Sequence, residues 1–366
     1  MPQLIAIAAP PGPRFLAALT RAWDEGNAVL PVDPRLPVPA ASALLRAMRP
    51  SALVDETGQH QQLEGGEPVD VGDALVVATS GTTGEPKGVV LTHDAVAASA
   101  TATSARLAVD PTTDRWLAVL PVAHIGGLSV LTRAIVTGTP VTFDPDDPDA
   151  TLVSLVPTQL GRMNAARFRV VLLGGSADWR DDRPANVVRT YGMTETGSGI
   201  AYDGVPLDGV DVRIDDASGE IAVRGPMLLR CYRDGVDPKG ADGWLNTGDA
   251  GEWAPGGSRL VVHGRIGDVI VTGGEKVWPV AVEAVLAAAF ADSVAELAVA
   301  GLPDQEWGER VVAWLVPAPG ATAPTIDDVR GAVKAVLPAF AAPTEIFIVR
   351  GLSRTESGKV RRRDLS

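Results

Sequence analysis

A single cysteine, Cys231, stands in a chain of 366 residues. No disulfide can therefore close within the chain, and a structural zinc site built on cysteines is excluded. That usage fits a reducing compartment. Aromatic residues are scarce, at 5%, and although 46% of the chain is hydrophobic, Ala and Val carry most of that content. No apolar run approaches the roughly 20 residues needed to cross a bilayer. The start, MPQLIAIAAPPGPR, has no early positive charge, and Pro10, Pro11 and Pro13 break its apolar stretch, so it does not read as a signal peptide. Positive charge is also short: 32 Lys and Arg against 45 Asp and Glu leave a formal net charge of −13. That balance speaks against nucleic acid or an anionic membrane as the main partner. A cytoplasmic protein is the expectation. Among only 4 histidines, His60, His93 and His263 show no partner pattern, and no serine–histidine–acid arrangement supports a hydrolase. Internal repeats and low-complexity blocks are absent too.

What is present is organised in three stretches, and the length suits two or three domains. Residues 74–79 (ALVVAT) read as a buried strand and 89–91 as a second, with Thr92 as the N-cap of an Ala-rich helix over 94–107. Strands at 116–120, 151–156 and 168–173, with a helix over 128–136, point to a largely parallel, covered sheet. In such sheets ligands bind at the C-terminal ends of the strands. After Gly204 short strands at 210–215, 220–224, 250–253 and 259–262 alternate with Gly and Asp turns, which predicts a small antiparallel, barrel-like subdomain. Beyond Gly264 come a strand at 269–272, a helix opened by Pro279, strands at 294–300 and 311–316, a helix capped by Thr325, and a last strand at 345–349. The expected fold is a large α/β N-terminal domain, mostly parallel covered sheets plus the antiparallel subdomain, followed by a small α+β C-terminal domain.

Between the first two strands lies ATSGTTGEPKGVVLTH, residues 78–93. It is not a Walker A loop, because Gly84 is followed by Glu85 and Pro86 before Lys87. It is still suited to an anion: glycines let backbone N–H groups converge, the hydroxyls of Thr79, Ser80, Thr82 and Thr83 add donors, and Lys87 supplies a point charge. A plain glycine-rich connector is the alternative.

TSGTTGEPKG resembles the phosphate loop of the adenylate-forming acyl-CoA ligase (AMP-binding) superfamily, which also includes carrier-loading adenylation domains and luciferases. YGMTETG at 191–197 is similar to its adenine and metal motif, and NTGD at 246–249 to its ribose motif. GRIGDVIVTGGEKVWPVAVEAVL at 264–286 resembles the interdomain hinge and the start of its mobile C-terminal domain, and SRTESGK at 353–359 its terminal catalytic-lysine segment. The five motifs follow the family's order. PPGPRFLAALTRAWDEGNAVLPVDPRLP is similar to a segment well inside the family's first domain, so an N-terminal portion is expected to be missing. The resemblance divides the chain into an AMP-binding domain, 1–266, and a mobile domain, 267–366.

It also implies a two-step reaction using ATP, Mg²⁺ and coenzyme A. A carboxylate attacks the α-phosphate of ATP, and a thiol then displaces AMP from the acyl adenylate. Thr79, Ser80, Gly81, Thr82, Thr83, Gly84 and Lys87 would hold the β- and γ-phosphates, Thr194 the α-phosphate and Glu195 the metal. Adenine would lie between Gly174-Gly175-Ser176 and the Tyr191-Gly192 strand. Asp249 and Arg265 would take the ribose, and Lys359 would reach the reacting oxygens during adenylation. Gly267 falls at the hinge position, Gly273 and Gly274 line the pantetheine channel, and His124 sits where relatives flank the acyl pocket. For Gly273 and Gly274 a tight turn after Thr272 is the plain alternative. Arg361, Arg362 and Arg363 are expected to face solvent. Residues 154–160, 172–177 and 201–214 are most similar to o-succinylbenzoate–CoA ligases of menaquinone synthesis, especially compact ones. The segment 177–190 departs from that pattern by leaving little room for the usual helix and strand. Arg162, Arg169 and Arg189 are candidates for a second substrate carboxylate by location. A ligase for another aryl or fatty acid, a carrier-loading enzyme, or a degenerate ATP-binding relative stays open, as does a homodimer.

Overall fold

Four sheets carry the chain in the computed structural model, which describes residues 1–80, 86–175, 183–354 and 360–365. The first is seven-stranded, in the order Cys231–Tyr232, Pro86–Thr92, Asp73–Ser80, Ala28–Pro31, Leu4–Ile7, Ala52–Val54, His60–Gln62. Its four central members run parallel from Asp73–Ser80 to Ala52–Val54. Leu4–Ile7 and Ala28–Pro31 are buried at every residue, the continuous apolar signature of parallel strands covered on both faces.

The second sheet, also of seven strands, runs Val205–Pro206, Ser198–Tyr202, Val187–Met193, Val170–Leu173, Leu152–Leu155, Trp116–Leu117, Val141–Thr142. It is parallel from Val187–Met193 onward and antiparallel at the other end. The helix His93–Arg106 touches strands of both sheets. Its buried face is made of small residues, Ala95, Ser99, Ala100, Ala102 and Thr103, which lets the sheets approach closely. Thr92 caps it as expected, its Oγ1 accepting from the Ala95 amide at 3.1 Å.

A four-stranded antiparallel sheet follows: Asp211–Ile214, Glu220–Arg224, Leu245–Trp253 and Leu260–Arg265. Its two outer strands do not pair with each other, so the barrel-like subdomain is an open half-barrel. The last sheet joins Glu275–Val277, Ile270–Thr272, Gly308–Pro317 and Val294–Asp304, with Glu345–Ile348 added in parallel. Helices Pro279–Ala289 and Ile326–Val336 pack on it around Ile270, Val282, Leu286, Ala313, Val329 and Val333. Thr325 opens the second of these helices with a capping box: its Oγ1 accepts from the Asp328 amide at 3.2 Å, and Asp328 accepts from the Thr325 amide at 2.9 Å.

Three boundaries differ from the sequence expectation for physical reasons. The strand expected over 116–120 ends at Leu117, and the next helix starts at Ile125 rather than 128. Gly126 and Gly127 form its first turn, because a Cβ on Gly127 would lie 2.3 Å from the Pro121 carbonyl oxygen. The strand expected at 250–253 starts five residues earlier, as Leu245–Trp253, and takes in NTGD, where Gly248 at φ 70 bends the chain. The short segment 177–190 does hold a strand: Val187–Met193 pairs in parallel with Val170–Leu173.

Asp114 ties the second sheet at one end. Its side chain, 4% exposed, accepts from Arg169 Nε at 2.9 Å and Nη2 at 2.5 Å, from Thr151 Oγ1 at 2.7 Å and from the Asp110 amide at 3.0 Å. Burial pushes this carboxyl up, but the Arg169 guanidinium and the other donors hold it below the usual carboxylate range. A pKa depressed on folding contributes stability above the unfolded-state value, and that stability fades as the pH falls through the folded value. Asp114→Asn is therefore expected to lower stability by about 2 kcal/mol at pH 7. The deficit should begin to shrink below about pH 4, where the unfolded chain's carboxyl takes up a proton, and go on shrinking towards the lower folded value. Thermal melts of both proteins from pH 7 to pH 3 test this, and a pH-independent difference would contradict it.

Candidate active site

Within 78–93 the described residues on either side of 81–85 belong to two paired strands, except His93, the first residue of the next helix. Strands Asp73–Ser80 and Pro86–Thr92 pair antiparallel from Asp73↔Thr92 to Ser80↔Pro86, which sets Lys87 opposite Thr79. Gly81, Thr82, Thr83 and Gly84 lie outside the described residues, as do Ser176 and Lys359. Gly88 admits no side chain, since a Cβ would sit 2.5 Å from Met48 Sδ and 2.9 Å from Val76 Cγ1.

On the other edge of Pro86–Thr92 the short strand Cys231–Tyr232 adds antiparallel, with Tyr232 opposite Val89. This brings in a residue that the sequence reading missed. The Tyr232 hydroxyl donates to Glu195 Oε1 at 3.1 Å, and Lys87 Nζ lies 5.1 Å from the centroid of the same ring. The segment is held from both ends. The Leu229 amide donates to the Glu195 carbonyl oxygen at 2.8 Å, and Arg230 grips both oxygens of buried Asp73 at 2.8 Å. Burial and the neighbouring Glu195 carboxylate push the Tyr232 phenol up to about 12, so it remains a protonated donor at neutral pH. A Tyr close to RCYRDG carries no nucleotide signature, and only the strand pairing reveals it.

Glu195 itself sits in a 3₁₀ turn, Thr194–Thr196, at the end of Val187–Met193. The Thr196 hydroxyl accepts from the Met193 amide at 3.0 Å and donates to the Ser198 carbonyl oxygen at 2.7 Å. Gly197 completes the turn at φ 67. Among the described residues no group of three or more His, Cys, Asp or Glu could hold a metal. A single carboxylate fits Mg²⁺, which keeps waters and phosphate oxygens as its remaining ligands.

Three residues singled out for the nucleotide, Tyr191 for the adenine and Asp249 and Arg265 for the ribose, lie together. The Tyr191 hydroxyl donates to Asp249 Oδ2 at 2.9 Å, and Arg265 Nε pairs with Oδ1 at 2.9 Å. Asp249 and Arg265 face each other across neighbouring strands, and Arg265 Nη1 also donates to the Thr247 carbonyl oxygen at 2.9 Å. Burial and the adjacent Asp249 raise the Tyr191 phenol far above its ordinary range, leaving it a donor. Gly174 and Gly175 follow Val170–Leu173. A Cβ on Gly174 would crowd Thr190 Oγ1 at 3.1 Å, and Gly175 has φ 93, a conformation that favours glycine, where the strand leaves the sheet beside Thr190.

Other expectations divide. His124 stands at the N-cap of helix Ile125–Thr137 but makes no side-chain capping bond. Gly273 and Gly274, at φ 59 and 86, form the two-residue turn between Ile270–Thr272 and Glu275–Val277, where positive φ at both places favours glycine. Gly267 lies in the turn Ile266–Asp268, where a Cβ would touch nothing within 4 Å; this conformation does not demand glycine. Arg361 and Arg363 are exposed, but Arg362 is not the solvent-facing residue expected. Its Nη2 donates to both Glu283 oxygens at 2.8 and 2.7 Å, Nη1 reaches Asp268 at 3.2 Å, and Nε meets the Val299 carbonyl oxygen at 3.2 Å. Paired acids replace the water a basic tail would otherwise keep. Of the arginines proposed for a second carboxylate, Arg169 is taken by Asp114, Arg189 lies 4.0 Å from Asp203, and Arg162 is exposed.

Comparison with known proteins identifies the family. Residues 67–233 match the AMP-binding enzyme family, and residues 281–359 match the AMP-binding enzyme C-terminal domain. A probable 2-succinylbenzoate–CoA ligase of Mycobacterium tuberculosis is 41% identical over 362 residues, covering 89% of this chain and 93% of the relative. The o-succinylbenzoate CoA synthetase (MenE) of Bacillus subtilis, solved with the acyl-adenylate intermediate OSB-AMP, superposes with a TM-score of 0.84 at 26% identity, covering 100% of this chain and 88% of that one. The same enzyme solved with ATP and magnesium ion gives 0.84 at 26% identity, covering 99% and 89%.

Gly192 is the tightest position in YGMTETG, since a Cβ would lie 2.2 Å from the Ser198 carbonyl oxygen and 2.7 Å from the Gly199 Cα. Backbone cannot yield as a flexible side chain can. Gly192→Ala is expected to destabilise the protein by about 1–3 kcal/mol through overpacking, measured by denaturant unfolding. An unchanged midpoint would mean that the two strands are not packed this closely.

Proposed function

The chain belongs to the AMP-binding enzyme family, and from that premise we propose that it joins 2-succinylbenzoate to coenzyme A through an acyl adenylate. The observation that carries the adenylate chemistry is the meeting of three sheets at one place. Lys87 comes from the first, Tyr191 and Glu195 from the second, and Asp249 and Arg265 from the third. The choice of acid rests on the ligase relatives.

In the first half-reaction a substrate carboxylate oxygen attacks the α-phosphorus of ATP. The bond to the bridging oxygen breaks, and pyrophosphate leaves with that bond's electron pair. Charge gathers on an already anionic nucleotide, so the residues must supply oriented positive charge. Thr79, Ser80, Gly81, Thr82, Thr83, Gly84 and Lys87 hold the β- and γ-phosphates, and Thr194 contacts the α-phosphate. Glu195 holds Mg²⁺, which when bound neutralises charge on the phosphate oxygens. Asp249 accepts from the ribose hydroxyls, with Arg265 fixing its orientation. The adenine ring lies against Gly174, Gly175, Ser176 and the Tyr191–Gly192 backbone. Lys359 arrives from the C-terminal domain, 267–366, which turns about Gly267 relative to 1–266. In the second half-reaction the coenzyme A sulfur attacks the acyl carbon, the thiol proton passes to solvent and AMP leaves. Gly273 and Gly274 border the pantetheine path, and His124 lies at the acyl pocket. A cytoplasmic setting suits these substrates and the free, buried thiol of Cys231.

ATP–pyrophosphate exchange across a panel of acids tests the proposal, with thioester formation as second readout. Exchange with 2-succinylbenzoate followed by its CoA thioester is the expected result; exchange only with another acid reassigns the substrate, and none with any acid removes the activity. Lys359→Ala should lower adenylation by on the order of 10²-fold or more, as for loss of a major charge-stabilising donor. Thioester formation from supplied acyl adenylate should survive. Equal loss in both half-reactions would contradict the lysine's assignment.

A further inference from the structure

Lys87 and Glu195 carry opposite charges, point into one region, and form no direct ion pair among the described residues. Both touch Tyr232. The carboxylate meets the hydroxyl end of the phenol, at 3.1 Å, and the ammonium stands over the ring face, 5.1 Å from its centroid. The backbone beneath the ring is held: its strand is paired at Tyr232↔Val89, two residues from Lys87. The Arg230 amide donates to the Val90 carbonyl oxygen at 2.9 Å, and the Leu229 amide donates to the Glu195 carbonyl oxygen at 2.8 Å.

We propose that Tyr232 is a positioning residue for the nucleotide and its metal, setting the orientation of Glu195 through its hydroxyl and holding Lys87 off that carboxylate with its ring. The inference rests on the reading that Lys87 meets phosphate and Glu195 meets Mg²⁺. Attraction between unlike charges grows as water is excluded. Without a spacer the ammonium and carboxylate would close on one another, and each would neutralise the group that MgATP needs. The tyrosine gives the cation a weak, replaceable partner and the carboxylate a fixed neutral donor.

Two variants separate the roles. Tyr232→Phe keeps the spacer and removes the donor; Tyr232→Leu removes both. Calorimetric titrations with ATP plus Mg²⁺, and separately with AMP without metal, read the site independently of turnover. Tyr232→Phe is expected to bind AMP as the parent does, to bind MgATP about 10-fold more weakly, and to need more Mg²⁺ for half-saturation. Tyr232→Leu should lose on the order of 100-fold. Adding Glu195→Gln to it should restore part of the affinity for ATP measured without metal, because Lys87 is then released. Equal weakening of AMP and MgATP, or a Tyr232→Phe protein that binds MgATP like the parent, would overturn the proposal. Lys87→Ala and Glu195→Gln are run alongside. If neither weakens MgATP, the underlying site assignment has failed and this inference with it; if both do while the Tyr232 variants do not, only the inference has failed.

Discussion

The edge pairing of Cys231–Tyr232 on Pro86–Thr92 is the contact on which the site depends. It extends the first sheet by one short strand, and that strand's neighbours reach the second sheet through the backbone and side chain of Glu195. It adds to the direct contact between strand Pro86–Thr92 and the turn Thr194–Thr196, which otherwise belong to different sheets packed across helix His93–Arg106. Its anchor is deep: Arg230 pairs with Asp73, whose side chain is 1% exposed, at the first residue of the strand that leads into the glycine-rich loop. Removing Arg230 would leave the buried Asp73 carboxylate without its cation, so the join resists opening.

A second join, Tyr191–Asp249–Arg265, brings the half-barrel to the same place. The two have a common form. In each, a tyrosine hydroxyl donates to a carboxylate, a basic side chain stands beside it, and the phenol is held in its donor state by burial and by that carboxylate's charge. In a chain of net charge −13 such arrangements matter. Exposed acids beyond a Debye length of about 8 Å are screened in physiological salt, so an anionic nucleotide responds mainly to Lys87, Arg265 and nearby amides. At Glu195 the tyrosine donor orients the acid without an ion pair to Lys87, whereas Arg265 is paired with Asp249.

Much of this was legible in the residues. The strand at 74–79, the Thr92 and Thr325 caps, the helix opened by Pro279 and the antiparallel character after Gly204 follow from local patterns, and the structure holds all of them. Family motifs singled out Tyr191, Asp249 and Arg265, but the bond between the first two, 58 residues apart, is seen only in the fold. What escaped was non-local. Tyr232 becomes informative only when its strand is paired with Val89. The anchoring of Arg362 requires Glu283 and Asp268 to be folded beside the tail, and a run of three arginines otherwise resembles a solvated face. Gly126 and Gly127 read as a loop because local propensity penalises glycine in helices, whereas the nearby Pro121 carbonyl decides the matter.

A crystal structure of the protein with ATP and Mg²⁺ tests the central claim most directly. The account predicts the β- and γ-phosphates at Lys87, the metal on Glu195 with the Tyr232 hydroxyl still bonded to that side chain, and both ribose hydroxyls at Asp249. A nucleotide bound elsewhere, or Lys87 and Glu195 paired directly with the phosphates held by other residues, would contradict it.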